Sequence, residues 1–284
     1  MQAATATLVA PRRTLAEMKD VTRCLRLDVL DLTFRHGGHP SSCFSCVEIL
    51  AAIYFGGILR YRPDEPQWPD RDRFFLSKGH AAPLMYPVLA HAGYIAHDDI
   101  HNFRVMGTGF HGHPKLGGVP GIEQTSGSLG QGLSVAIGHV LAGRLSKRDY
   151  RCYVLMGDGE CEEGQVWEAA MSAAHWKLDN LTAIVDYNKY QQTGPINHEM
   201  ALEPFAAKWQ AFGWQTAEAN GRDMSDIVAK LQDLQKVTGK PQILFCHTAK
   251  GQGVSFMESD YTFHGRPLTA EQMAKAREEI NASR

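Results

Sequence analysis

The stretch 152-CYVLMGDGECEEGQVWEAAMSAAHWKLDNLTAIVDYNKY-190 decides how this chain is read. Residues 152–156 are a short apolar run of strand formers, and Gly157-Asp158-Gly159 follows where small residues permit a sharp reversal. Helical composition then runs over 165–176, with Lys177 at the C-terminal end where a cation complements the helix dipole. Residues 181–185, Leu-Thr-Ala-Ile-Val, form a second buried strand. Strand, turn, helix and strand make a βαβ unit. Its crossover leaves the two strands parallel, so the turn after each lies at the same sheet edge and Asp158 can face Asn188.

A carboxylate and an amide oxygen converging at the carboxyl edge of a parallel sheet make half of a hard-cation site. Mg²⁺ suits it, because that ion takes few protein oxygens, keeps water and fills its octahedron with ligand phosphates. The ligand this implies carries a diphosphate. A Gly-Asp-Gly turn alone would be only a turn, but here an Asn follows across one helix and one strand.

The rest of the chain bounds the class. At 284 residues and 44% hydrophobic composition it can bury most of its unfolded surface. A formal charge of −2 and a pI near 6.7 give no reason to expect nucleic acid or a membrane as partner. Residues 1–13 are Ala- and Thr-rich, with Arg12 and Arg13 after the apolar residues, the wrong order for a secretory signal; they read as a flexible arm, with a transit peptide as the alternative. Six cysteines do not make a disulfide framework in a chain this long, and Cys152 and Cys246 fall in predicted strands, so the expected compartment is reducing and cytoplasmic. Cys43-Phe-Ser-Cys46 has redox or zinc spacing, but no second pair completes a metal site and the two read as packed thiols.

Thr14 caps a helix to residue 35 that Gly37 ends, and Ser45 is placed to cap the next one after a loop over 37–42. A strand over 74–76 leads through Ser77-Lys78-Gly79-His80 into a helix over 81–92 in which Pro87 should make a kink. Gly107-Thr-Gly109-Phe-His-Gly112 matches the dinucleotide-binding pattern, but no strand precedes it and His113-Pro114 stands where a helix should start. Ser126-Gly127-Ser128-Leu129-Gly130-Gln131-Gly132 opens a helix over 133–145, its glycines permitting close approach to a flat ligand. Further on come a helix over 205–212, a strand over 214–219, a helix capped by Asp223, a strand over 242–247, and a final helix with a Thr269/Gln272 capping box. No repeat and no long linker divides 14–284.

Gly38-His39-Pro40, Lys78-Gly79-His80, Gly112-His113-Pro114 and His264-Gly265, taken in order around the Gly-Asp-Gly…Asn pattern, resemble the transketolase family. The likeness runs from about residue 14 to 284 and covers that family's N-terminal, diphosphate-binding part. It implies an α/β fold, a three-layer, doubly wound, mostly parallel sheet binding thiamine diphosphate and Mg²⁺, for which Ca²⁺ or Mn²⁺ can substitute. By resemblance Asp158, Asn188 and the Tyr190 carbonyl hold the metal. His80 and His264 approach the diphosphate, and His39, His113 and His264 line the channel to the thiazolium as catalytic groups. Gly127, Leu129 and Gly159 contact the cofactor, while Glu163 matches an acid of the carboxylate network at the subunit interface. Ketol transfer needs neutral-range proton donors and hydrogen bonds to sugar hydroxyls, which imidazole supplies.

Ser41, Ser42 and Cys43 replace the smaller residues usual after the first His-Pro, His111 is an added imidazole, and Ser128 stands where longer relatives carry Pro. These leave sugar specificity open. The family's catalytic Glu comes from a second, pyrimidine-binding module, for which the residues after His264 are too few. The resemblance therefore implies the N-terminal subunit of a split transketolase. It would act on sugar phosphates only with a C-terminal partner, as an α₂β₂ assembly, joined through apolar surface around Leu129 and the Trp167 helix. Other thiamine enzymes, of the deoxyxylulose phosphate synthase or 2-oxo acid dehydrogenase kind, a non-catalytic thiamine diphosphate-binding protein and a nucleotide-dependent oxidoreductase are the competing readings.

Overall fold

Side chains alternate across the central strands so that both faces are apolar, and both are covered. In the computed structural model, which describes residues 12–282, five strands form one sheet: β1 (Arg73–Leu76), β2 (Cys152–Gly157), β3 (Leu181–Tyr187), β4 (Gln215–Asn220) and β5 (Gln242–His247). Their order is β1-β2-β3-β5-β4, and every neighbouring pair is parallel. Tyr153 and Leu155 of β2, with Leu244 and Cys246 of β5, join one core; Cys152, Val154 and Met156, with Ile243 and Phe245, join the other. A parallel sheet buried on both faces reads as the continuous hydrophobic runs found here.

Among the described residues, ten α-helices make the two outer layers. On one face lie α1 (Leu15–His36), α2 (Pro40–Phe44), α3 (Val47–Phe55), α4 (Ala82–His91), α9 (Met224–Leu234) and α10 (Ala270–Ala282). On the other lie α5 (Gln131–Leu145), α6 (Gly164–His175), α7 (Ile196–Glu199) and α8 (Phe205–Ala211). Three layers and an all-parallel sheet match the fold class read from the sequence. Fully buried Phe75, Phe245 and Trp209 each contribute roughly 1.5–3 kcal/mol of transfer free energy. No helix of the described residues is long and apolar enough to cross a membrane.

Local signals acted as read at several ends. Thr14 and Glu17 form a capping box on α1, Asp223 accepts from Ser225 N and Asp226 N at the start of α9, and Thr269 and Gln272 bond reciprocally before α10. The arm expected over 1–13 lies, for residues 1–11, outside the described residues. Arg13 is held by Phe55 O and His91 O, each at 2.8 Å. Ser45 caps nothing. Part of the expected 37–42 loop winds into α2, α3 starts after Cys46, and the Ser45 hydroxyl donates instead to Asp186 at 2.6 Å. Trp167 does not face outward but packs among Phe205, Trp209 and Phe212. The exposed apolar side chains of α6 and its end are Met171 and Trp176.

Candidate active site

Parallel strands deliver their following loops to one edge, and four of those loops meet there. β1 leads into Lys78 and His80, β2 into Asp158, β3 into Asn188 and Tyr190, and β5 into Lys250. With His39 from the end of α1, His113, Gly127, Leu129 and His264 from loops, and Gly159 and Glu163 beyond β2, they line a cavity of about 410 Å³. The structure thus brings together every residue singled out for the site. Glu163 sits at the exposed rim, and His111 is not among the lining side chains; its carbonyl accepts from the Tyr86 hydroxyl at 2.7 Å.

At the floor, Asp158 is buried and its two oxygens accept from Gly159 N at 2.9 Å and Lys189 N at 2.6 Å. Burial, and then the neighbouring charge of Asp186, push its carboxyl up to about 7. A carboxylate so placed is short of positive charge. Asn188 Oδ1 accepts from Tyr190 N at 3.1 Å, and the Tyr190 carbonyl lies 3.4 Å from the Lys250 ammonium, so a cation already faces that oxygen. Carboxylate, amide oxygen and carbonyl are the hard donor set that Mg²⁺ takes, and these residues fit it.

Beneath them lies a device the sequence did not disclose. Asp186, fully buried, receives Lys78 Nζ, the hydroxyls of Ser45 and Thr248, and Asn188 Nδ2 at 3.1 Å. By holding the amide nitrogen it turns Asn188 Oδ1 the other way. Burial opposes charge on both Lys78 and Asp186. Their mutual attraction more than offsets it, raising the Lys78 pKa and lowering that of Asp186. Glu160 does similar work for the loops: its carboxylate accepts from the Ser77 hydroxyl, Gly130 N at 2.9 Å and Gly157 N at 3.0 Å. The glycines of the 126–132 segment divide by role. A Cβ on Gly132 would lie 2.4 Å from Ser77 Oγ, and one on Gly130 2.8 Å from Glu163, so both serve packing, whereas Gly127 is the one lining the cavity.

Four imidazoles form the wall. The His39 centroid lies 5.3 Å from that of His80, 6.3 Å from His113 and 5.0 Å from His264. His264 Nδ1 is 3.1 Å from Lys250 Nζ; an ammonium only donates, so Nδ1 is the acceptor and the ring proton sits on Nε2. Ser42 Oγ reaches the same nitrogen at 3.2 Å, so this serine adds a polar group to the wall. Burial, and then nearby positive charge, take His264 down to about 3 and His39 to about 4, and also lower His80 and His113. These rings are neutral at physiological pH and hydrogen-bond as such, rather than titrating in the neutral range as the sequence suggested. His39 Nδ1 is buried with no hydrogen-bond partner among the described residues, which leaves it free for a ligand. Lys250, buried and forming no ion pair among the described residues, is pulled down to about 8 by burial and then by Lys78. Only its place just after a predicted strand could have signalled it.

Comparison with known proteins points to one family. A family profile described as "Transketolase, thiamine diphosphate binding domain" matches residues 15–283. A subunit of the apulose-4-phosphate transketolase of Phocaeicola vulgatus is 43% identical over 244 residues, 86% of this chain and 86% of that protein. A subunit of the 6-deoxy-6-sulfo-D-fructose transketolase of a Clostridium species is 41% identical over 239 residues, 84% of this chain and 86% of that one. Among solved structures, the transketolase of Leishmania mexicana superposes with a TM-score of 0.88 at 30% identity, over 95% of this chain but 42% of the longer one.

Proposed function

The chain belongs to the transketolase family, matched along the thiamine diphosphate-binding domain, and on that premise we propose that it is the N-terminal subunit of a two-component transketolase. It moves a two-carbon ketol unit from a ketose to an aldose in company with a second chain. One observation carries the reading: a buried, charge-deficient carboxylate and the Asn188 amide oxygen stand at the same cavity floor as four neutral imidazoles and a lysine that forms no ion pair among the described residues. The Phocaeicola and Clostridium relatives, each named as one component of a transketolase and each matched over most of its length, support the division into two chains.

Bound thiamine diphosphate would supply a carbon nucleophile that accepts the two-carbon unit and passes it on. Asp158, Asn188 and the Tyr190 carbonyl would hold the Mg²⁺ beside its diphosphate, with Asp186 fixing the Asn188 amide. Lys250, His80 and the Nε2–H of His264 would face the diphosphate oxygens. Gly127 and Leu129 would lie against the rings, Gly159 at the metal turn, and Glu163 at the edge shared with the partner. His39 and His113 would hydrogen-bond sugar hydroxyls, and His264 would join them at the reacting end of the channel. The two relatives' names specify sugars bearing a phosphate and a sulfonate. We read the substrate here as a ketose with an anionic end, phosphorylated in the first instance. Arg104, whose charge bears on both His39 and His113 and which bonds the His36 carbonyl, would be the cation to meet it.

The partner would bring the pyrimidine module and its Glu, and the assembly would be α₂β₂. Exposed Met171 and Trp176 after the cofactor-edge loop, with Met106 and Leu116 flanking His113 in sequence, support a surface made to be covered. Six unpaired thiols, five of them buried, support a reducing, cytoplasmic setting. Calorimetry tests the site: thiamine diphosphate should bind only with Mg²⁺ present, and Asp158→Ala should abolish that metal-dependent binding. Unchanged affinity in the variant would remove the metal assignment.

A further inference from the structure

Outside the cavity, three side chains from separate elements meet: Asp28 on α1, His91 in the last turn of α4, and His97 at the start of the 3₁₀ turn His97–Asn102. His97 Nε2 lies 3.0 Å and His91 Nε2 3.8 Å from one oxygen, Asp28 Oδ2, and the donor atoms all fall within 4.8 Å of one another. The two rings cross nearly at right angles, with centroids 5.6 Å apart. His91 Nε2 is the informative atom. It is buried and has no hydrogen-bond partner among the described residues, and at 3.8 Å the carboxylate is too far to be one. Yet that separation suits two ligands of one ion, because bonds of about 2.0–2.2 Å in a tetrahedron set ligand atoms roughly 3.3 Å apart.

We propose that Asp28, His91 and His97 form a binding site for a borderline divalent cation of the Zn²⁺ class, with water completing the shell. Two imidazoles and one carboxylate select such an ion over Mg²⁺ or Ca²⁺, which take oxygen. His97 is half exposed, which leaves an entry path and an open position. Asp98 and Asp99 of the same turn add negative charge, while Arg13, bonded to the His91 carbonyl, opposes the ion from that side. The ion would tie α1, whose end delivers His39, to the segment that runs on to Arg104 and His113. It would act as a clamp behind the sugar channel and take no part in the chemistry.

The test uses the full chain, stripped of metal and then saturated with thiamine diphosphate and Mg²⁺, titrated with Zn²⁺ against a chromophoric chelator and separately with Co²⁺. We expect one Zn²⁺ per chain, a rise in melting temperature on binding, and visible Co²⁺ bands of a four-coordinate nitrogen–oxygen site. His97→Ala and Asp28→Asn should each weaken Zn²⁺ by more than about tenfold, since even residues behind a ligand shift affinity by that much. His113→Ala and Asp158→Ala should leave it unchanged. Failure to retain stoichiometric Zn²⁺ would overturn the proposal. So would Zn²⁺ binding that survives His97→Ala, or that is lost instead in His113→Ala or Asp158→Ala.

Discussion

Replacing Lys250 with Met should make the isolated chain more stable and worse at binding its cofactor. In the folded chain the ammonium falls from its usual 10.5 to about 8, through burial first and the charge of Lys78 second. At about 1.4 kcal/mol per pH unit, that sets about 3 kcal/mol against the charged form at neutral pH. Met keeps the length and drops the charge; the lost contacts to Tyr190 O at 3.4 Å and His264 Nδ1 at 3.1 Å take back about 1 kcal/mol. A net gain of about 1–3 kcal/mol remains. The sign with pH follows from the depressed value. Between about pH 8 and 10.5 the unfolded chain holds a proton that the folded chain has released, so wild-type stability rises with pH across that window. Lys250→Met should flatten the rise. Binding moves the other way, because a charge-assisted contact to the diphosphate is worth roughly 1.5–3 kcal/mol, or about a ten- to hundredfold loss of affinity. Urea unfolding across pH gives the first quantity and calorimetry the second. A variant that is no more stable and binds thiamine diphosphate as well as wild type would show that Lys250 is not a buried cation kept for an anion.

Lys78→Met should do the opposite to stability, since it leaves Asp186 in the core without its countercharge, held only by neutral donors. A loss of about 3–5 kcal/mol is expected by chemical denaturation, against the gain at Lys250. Asp158 titrates near 7 when folded but near 3.8 when unfolded, so its contribution to stability falls as pH rises from about 4 to 7. Asp158→Asn should remove that fall in a pH series of melting temperatures, and added Mg²⁺ should stabilise wild type but not the variant above about pH 7. His39→Ala and His113→Ala should bind cofactor normally and lose roughly 10²–10⁴ in turnover when assayed with the partner; full activity with ketose phosphates would return both rings to a structural role.

What the sequence disclosed was local or periodic. The Gly157-Asp158-Gly159 turn, the two strands that bracket it and the asparagine beyond are set by neighbours in the chain, and parallel pairing then obliges Asp158 and Asn188 to meet. The caps at Thr14, Asp223 and Thr269 are likewise written within a few residues. What stayed hidden spans the fold. Lys78 finds Asp186 and Glu160 finds Ser77 across long separations, and nothing around Glu160 or Asp186 marks either as a buried anchor. Ser45 looked like a cap because its neighbourhood is that of a helix start, yet Asp186 claims its hydroxyl. Burial also reversed the expected chemistry of His39 and His264: composition supplies an imidazole, but only the packed cavity with Lys78 and Lys250 decides that it stays neutral.

Ketol transfer measured with this chain alone, and then with its partner added, tests the central claim most directly. With saturating thiamine diphosphate and Mg²⁺ the chain alone should bind cofactor and turn over no ketose phosphate, because in the proposed division the Glu that activates the aminopyrimidine would lie on the other chain. Adding the partner should restore transfer, and changing the partner's Glu to Gln should remove it without separating the complex. Sustained turnover by the purified chain alone would contradict the account.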